Sequence, residues 1–104
     1  MEIYYSSRKL EKILTNNRQI KKEYGLFYSN LINRLSELVA ANNLSEIPTI
    51  PPPRRHKLSG DKKDCWGIDC NRNHRIVIEP FGEYNIEDLK TITAIKIINI
   101  EDYH

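Results

Sequence analysis

The hydrophobic positions of this chain change their spacing near its middle. Before residue 43 they mostly recur every three or four residues, and from residue 54 onward they alternate. The first spacing is typical of amphipathic helices, and the second is typical of strands with one buried face. A short alternating run over residues 1–5 precedes the helical region. The pattern therefore predicts one opening strand, then helices, then a series of strands.

Two helices are predicted from their capping residues. Ser6-Ser7 offers an N-cap for a short first helix, and Asn16-Asn17 ends that helix and caps the next one. The second helix carries a long apolar stripe and is expected to stop near Asn42-Asn43. Gly25 lies inside it and predicts a kink or a late start, because glycine costs about 1 kcal/mol relative to alanine in a helix.

The second half of the chain predicts four strands after a proline-rich connector. The connector covers residues 43–53, where its prolines favour extended backbone. The last strand has apolar residues on both faces, which is typical of a central strand. The predicted strands cover residues 54–58, 65–70, 74–79 and 91–100, with a turn suited to positive φ at 71–73 and a mobile loop at 80–90.

The order β-α-α-β-β-β-β predicts an α+β fold. We expect two N-terminal helices packed on one face of a small, mainly antiparallel sheet of four to five strands. The other face of that sheet is then free to be a functional surface. With 104 residues, the chain is expected to form a single domain over residues 1–104.

Composition and charge narrow the class of protein. The hydrophobic content of 39%, the charged content of 29% and the net charge of +2 are those of an ordinary globular protein. The basic residues cluster at 8–22 and 54–63, and such local patches favour contacts with polyanions. Cys65 and Cys70 are expected on opposite faces of one strand, as reduced packing residues. No signal peptide or membrane span is apparent, so a cytoplasmic location is expected.

The titratable residues favour metal-independent cleavage of an RNA phosphodiester. Such cleavage needs a group that takes the 2′ proton, a cation that holds charge on phosphorus and an acid for the leaving 5′-oxygen. Lys57 and Arg75 are expected to share the open face of the sheet, near the closing Asp102-Tyr103-His104. Four basic residues are predicted RNA contacts, namely Arg54, Arg55, Lys62 and Lys63. No catalytic triad, phosphate-binding loop or metal-ligand cluster is apparent, so no metal or cofactor is expected.

The sequence resembles the HigB-type toxins of the RelE/ParE superfamily. The resemblance rests on Arg-Arg-His-Lys-Leu-Ser-Gly-Asp, Cys-Trp-Gly-Ile-Asp, Asn-His-Arg-Ile-Val-Ile and the closing Asp-Tyr-His, in that order. It implies a microbial-RNase-like α+β fold and an mRNA interferase that cleaves messenger RNA in the ribosomal A site. The ribosome, through its 16S rRNA, is then a binding partner. It also implies a HigA-like helix-turn-helix antitoxin, through which the complex binds promoter DNA.

The same resemblance implies the roles of the site residues. Carried over by position, the catalytic residues are Lys57, Asp102, Tyr103 and His104, with His56 and Arg75 lining the site. We expect Lys57 or Tyr103 near the 2′-hydroxyl, Arg75 on the phosphate, His104 as the general acid and Asp102 as an orienting group.

Two other functions fit the same sequence. One is a ParE-like toxin that inhibits DNA gyrase, and the other is an inactive relative that only binds an antitoxin.

Overall fold

The computed structural model describes residues 1–103, so the terminal His104 lies outside the described residues. Helices and strands follow one another in nearly the predicted order. They are β1 Glu2–Tyr5, α1 Arg8–Leu14, α2 Asn17–Tyr24, α3 Tyr28–Ala40, β2 His56–Lys57, β3 Trp66–Asp69, β4 His74–Pro80 and β5 Ala94–Asp102. The predicted α+β fold, with helices on one face of a small sheet, is confirmed.

The five strands form one mixed sheet in the order β1-β5-β4-β3-β2. β1 runs parallel to β5, and the other neighbouring pairs are antiparallel. β5 therefore has a strand on each side, as its two apolar faces predicted. A β-bulge between Val77 and Ile78 shifts its pairing with β4.

The caps of the helices explain where they begin. The Ser7 side chain accepts a hydrogen bond from the Leu10 N–H, and the Asn16 side chain accepts from the N–H groups of Arg18 and Gln19. The predicted second helix is divided into α2 and α3 by a 3₁₀ turn at Gly25–Phe27. The break lies where the glycine predicted a kink. No helix within residues 1–103 is long and apolar enough to cross a membrane.

The apolar side chains form two clusters, one on each side of the sheet. The main core lies between the helices and the sheet, and it includes Leu31, Leu38, Ile76 and Ile97. We call the opposite side of the sheet the open face. It carries a smaller cluster, formed by Leu58, Cys65 and Val77 with Ile98 packed against it. Cys70 lies in the main core, so the two free cysteines are on opposite faces, as predicted.

Three local predictions differ from the structure. β2 has two residues rather than five, because Arg54 has a φ of +40°, which interrupts the extended backbone. The turn at 71–73 has no residue with positive φ, since the Asn71 side chain closes it by accepting from the N–H groups of Asn73 and His74. β5 begins late, because Leu89–Thr91 forms a 3₁₀ turn.

Candidate active site on the open sheet face

The pairing register determines which side chains share the open face. His56 lies opposite Gly67, which in turn lies opposite Val77. One step along the same face, Asp69 lies opposite Arg75, and Arg75 lies opposite Glu101. Directly opposed residues of neighbouring strands project to the same side of a sheet. Strands that are far apart in the sequence therefore bring an imidazole, a guanidinium and two carboxylates together.

One ring nitrogen of His56 is hydrogen-bonded to the backbone, and the other faces Arg75. Its Nδ1 lies 2.7 Å from the backbone oxygen of Arg54, and its Nε2 lies 3.4 Å from Nη1 of Arg75. A carbonyl oxygen only accepts hydrogen bonds, so Nδ1 carries a hydrogen in this contact. In the neutral ring, Nε2 then keeps its lone pair. This is the tautomer that a general base at Nε2 requires.

Gly67 makes room for that arrangement. A Cβ at this position would lie 2.8 Å from Cε1 and 2.9 Å from Nε2 of His56, and 3.2 Å from Cδ of Arg75. The first two distances are shorter than real Cβ contacts. The absence of a side chain on β3 thus allows the imidazole of β2 to cross above it toward β4. A glycine inside a strand often marks such a close approach.

Arg75 is fixed by contacts on two sides. Its Nε donates to Oε1 of Glu101 at 2.8 Å, and its Nη2 lies 2.5 Å from the same oxygen. Its Cζ lies 4.5 Å from the centre of the Tyr103 ring, which is the geometry of a cation–π contact. These contacts leave Nη1 as the nitrogen that faces His56. The guanidinium is therefore oriented before any substrate binds.

A second ion pair, between Arg54 and Asp69, lies next to these residues. Arg54 donates from Nε to Oδ2 of Asp69 at 2.6 Å, and the Tyr103 hydroxyl donates to Oδ1 of Asp69 at 3.1 Å. Asp69 therefore connects Arg54, whose backbone oxygen contacts His56, to Tyr103. The ring of Tyr103 in turn stacks on Arg75. Lys62 completes the group, since its Nζ lies 3.1 Å from Oε2 of Glu101. The site therefore holds three cations against two carboxylates.

The charges of the site shift two pKa values. Burial by itself raises the pKa of the Glu101 carboxyl, but hydrogen bonds and charges from Arg75 and Lys62 outweigh it, so the pKa lies below its ordinary value of 4.5. The hydrogen bond with Asp69 raises the pKa of the Arg54 guanidinium, against burial, which lowers it. Both groups are held in their charged forms at neutral pH.

The lowered pKa of Glu101 predicts a loss of stability in acid. A depressed folded-state pKa contributes stability that is fully present above the unfolded-state value near 4.5 and is lost as the pH falls through the lower folded-state value. Urea unfolding of the wild type and of Glu101→Gln between pH 7 and pH 3 checks this. We expect the wild-type advantage to shrink once the pH falls below about 4.5. An advantage that stayed constant with pH would contradict it.

Several predicted site residues meet in this cluster, and others do not. His56, Arg75, Tyr103, Arg54 and Lys62 are brought together.

Lys57 is not on the open face, so the prediction that it shares a face with Arg75 is wrong. It is paired with Trp66 of the main core, and its Nζ lies 4.8 Å from the Trp66 ring centre. The reason is that neighbouring residues of a strand point to opposite faces.

Three further predicted residues, Asp102, Arg55 and Lys63, lie apart from the cluster. Asp102 lies opposite His74, and its Oδ2 is 3.7 Å from Nε2 of that histidine, whose ring stacks on Phe27 of the main core. Arg55 donates from Nε to the backbone oxygen of Ile47 and so fastens the connector, and burial lowers its pKa. Lys63 is exposed at the end of the 3₁₀ turn Gly60–Lys62. His104 lies outside the described residues.

Three residues of the cluster were not predicted from the sequence. Gly67 carried a usable signal, since it lies between Trp66 and Ile68 inside a predicted strand. Asp69 and Glu101 carried none, because their roles depend on pairing with Arg54, Arg75 and Lys62. Within residues 1–103, no three His, Cys, Asp or Glu side chains are grouped so that they could hold a metal ion.

Solved structures that are similar to this chain over its whole length include the following two. One is the YoeB/ParE toxin from Agrobacterium tumefaciens, with a TM-score of 0.61, 10% sequence identity and 100% of both chains covered. The other is in the YoeB-YefM complex from Staphylococcus aureus, with a TM-score of 0.57, 14% identity and 97% of that chain covered by all of this one. At these identities the likeness shows the fold alone. No protein-family model and no curated protein matches the sequence.

Proposed function

We propose that this chain is the toxin of a toxin–antitoxin pair and that it is a metal-independent endoribonuclease. Its fold, which is similar to that of YoeB/ParE toxins, supports the toxin role. The observation that carries the nuclease role is the pair formed by His56 and Arg75 on the open face. An imidazole with an unprotonated Nε2 beside an oriented guanidinium is what attack by a 2′-hydroxyl needs. Residues 1–104 are proposed to act as one domain of the HigB type.

The proposed reaction transfers a phosphoryl group within the RNA strand. Nε2 of His56 takes the proton of the 2′-hydroxyl, whose oxygen forms a bond to phosphorus. Nη1 of Arg75 donates to a phosphate oxygen as negative charge builds up there. The bond from phosphorus to the 5′-oxygen breaks, and that oxygen takes a proton from a general acid. His104 keeps its predicted role as that acid, with Asp102 as an orienting group, whereas Lys57 becomes a contact for RNA at the edge of the sheet.

The proposed partners follow from the same function. A HigA-like helix-turn-helix antitoxin would hold the toxin inactive and connect it to promoter DNA. The similar chain from Staphylococcus aureus is in a complex with YefM, which is consistent with an antitoxin partner. Messenger RNA in the ribosomal A site is the proposed substrate, and 16S rRNA is the proposed surface on which it is held. A cytoplasmic location is part of this proposal.

The proposed function predicts a loss of toxicity in Arg75→Ala. Induction of the wild type in a bacterial host should stop growth and produce messenger RNA ends within translated codons. Arg75→Ala should lower the single-turnover cleavage rate on ribosomes by about 10²–10³, as removing one donor to a transition-state charge does. Growth, mapped RNA ends and cleavage rates are the measurements.

Lys90→Ala is the charge-matched control, since Lys90 is exposed on the 3₁₀ turn Leu89–Thr91, outside both basic clusters and away from the sheet cluster. It should cleave at the wild-type rate. DNA damage linked to gyrase without RNA cuts would favour the gyrase inhibitor instead. The absence of any growth effect would favour an inactive antitoxin-binding protein.

A further inference from the structure

Glu101 connects two cations that come from different parts of the chain. One carboxylate oxygen accepts from Arg75 of β4, and the other lies 3.1 Å from Nζ of Lys62 on the 3₁₀ turn. The Glu101 and Arg75 side chains are only 16% and 18% exposed, whereas Lys62 is 38% exposed. The Glu101 carboxylate is thus mostly buried, and Lys62 is the more exposed of its two cationic partners.

The position of this carboxylate is the one that a phosphodiester would need. A phosphodiester has one negative charge shared by two non-bridging oxygens, and it is recognised well by an arginine fork together with a lysine ammonium. In the free protein, Nε and Nη2 of Arg75 are already taken by Glu101. Only Nη1 faces the imidazole. A phosphate therefore cannot form a bidentate contact with Arg75 unless the carboxylate leaves.

We propose that Glu101 is an internal stand-in for the substrate phosphate, and that an RNA phosphodiester displaces it from Arg75 and Lys62. This inference rests on the proposed function in so far as it names RNA as the ligand. Binding is then an exchange of one anion for another on the same cations. The apparent affinity equals the intrinsic affinity multiplied by the fraction of molecules in which the site is open. Free RNA should therefore bind weakly, and a surface that holds the RNA in place should overcome the competition.

The exchange is mechanically simple. Glu101 can leave by rotation about its own side-chain bonds, without a change in the pairing of β5 with β4. Lys62 lies on a short turn with exposed neighbours, Asp61 and Lys63, so it can follow an incoming phosphate. Arg75 keeps its contact with the Tyr103 ring, which needs no carboxylate.

The test measures binding of a 2′-deoxy dinucleotide, which contains one phosphodiester and lacks the attacking hydroxyl. Its dissociation constant is determined at low salt by NMR titration of the full chain, for the wild type, Glu101→Gln and Glu79→Gln. Glu101→Gln should bind about tenfold more tightly, since it removes a charge-assisted competitor for the same donors. Glu79 lies on the same face, opposite Lys96, so Glu79→Gln removes an equal charge from the face. It should change the affinity by less than about twofold, as expected for a screened surface charge.

Adding Lys62→Ala to Glu101→Gln should abolish the gain, because one of the two cations is then missing. Unchanged or weaker binding by Glu101→Gln, in a protein whose amide spectrum shows the native fold, would overturn the inference. Equal gains in Glu101→Gln and Glu79→Gln would overturn it as well, since they would indicate net charge alone. The wild type can be titrated in parallel, and shifts confined to residues remote from Arg75 and Lys62 would count against it. Failure of RNA cleavage would contradict the proposed function without affecting these binding results.

Discussion

Replacing His56 by alanine should lower the single-turnover rate of RNA cleavage by about 10²–10⁴, which is the usual contribution of a positioned general base. The effect should fall on the chemical step, because the substitution leaves Arg75 and Lys62, the proposed phosphate contacts, in place. Ribosome binding should therefore stay near the wild-type level. The pH dependence of the rate should also change, since Nε2 would no longer accept the proton. Single-turnover rates on programmed ribosomes across pH 5–9 are the measurement.

Phe81→Ala is the control for this experiment. Phe81 lies directly after β4, with its ring packed on Tyr4 at a centroid distance of 4.2 Å. Its replacement should lower stability, because it removes packing, and should leave the cleavage rate unchanged once folded protein is compared. If His56→Ala lost ribosome binding and kept its rate, His56 would be a binding residue rather than the base.

Replacing Gly67 by alanine should lower the same rate by about 100-fold, because a displacement of about 1 Å at a reacting group has an effect of that size. The added Cβ would lie 2.8 Å from Cε1 of His56, so the ring must move. Alanine is less unfavourable than glycine in a strand, so the fold should persist with a loss of about 1–3 kcal/mol from crowding. The cleavage rate and the unfolding free energy, measured on the same preparation, separate the two effects.

Gly25→Ala is the matched control for the glycine. No atom lies within 4 Å of a Cβ built at Gly25, and its backbone is already helical. This variant should keep the wild-type rate. In a His56→Ala background, adding Gly67→Ala should cause little further loss, because the side chain that it displaces is absent. A full additional loss would show that Gly67 acts through something other than His56.

The order of the elements could be predicted from the sequence because it depends on local interactions. Ser7 and Asn16 each bond to backbone groups two or three residues away, so the starts of α1 and α2 are encoded within one turn. The apolar residues on both faces of β5 predicted its inner position. Each of the two apolar clusters, one on each face of the sheet, includes side chains from this strand.

The candidate site could be predicted only in part, because its geometry depends on register. His56 and Lys57 are adjacent in the sequence, and both residue types occur as acids or bases in enzymes. A one-residue difference in register exchanges the faces of two such neighbours. The register here follows from a two-residue strand that begins after the positive φ of Arg54. Nothing in the spacing of hydrophobic residues reports that backbone angle.

The sequence by itself thus determined the α+β class, the helix caps, the central last strand and the residue types from which a site could be built. The tertiary structure alone decided that His56, and not Lys57, faces Arg75, that Gly67 opens the space between them, and that Glu101 occupies the two cations. The physical reason is the range of the interactions. Caps and periodicity act over a few residues, whereas the contact between Arg75 and Glu101 joins residues 26 apart in the sequence and depends on how whole strands align.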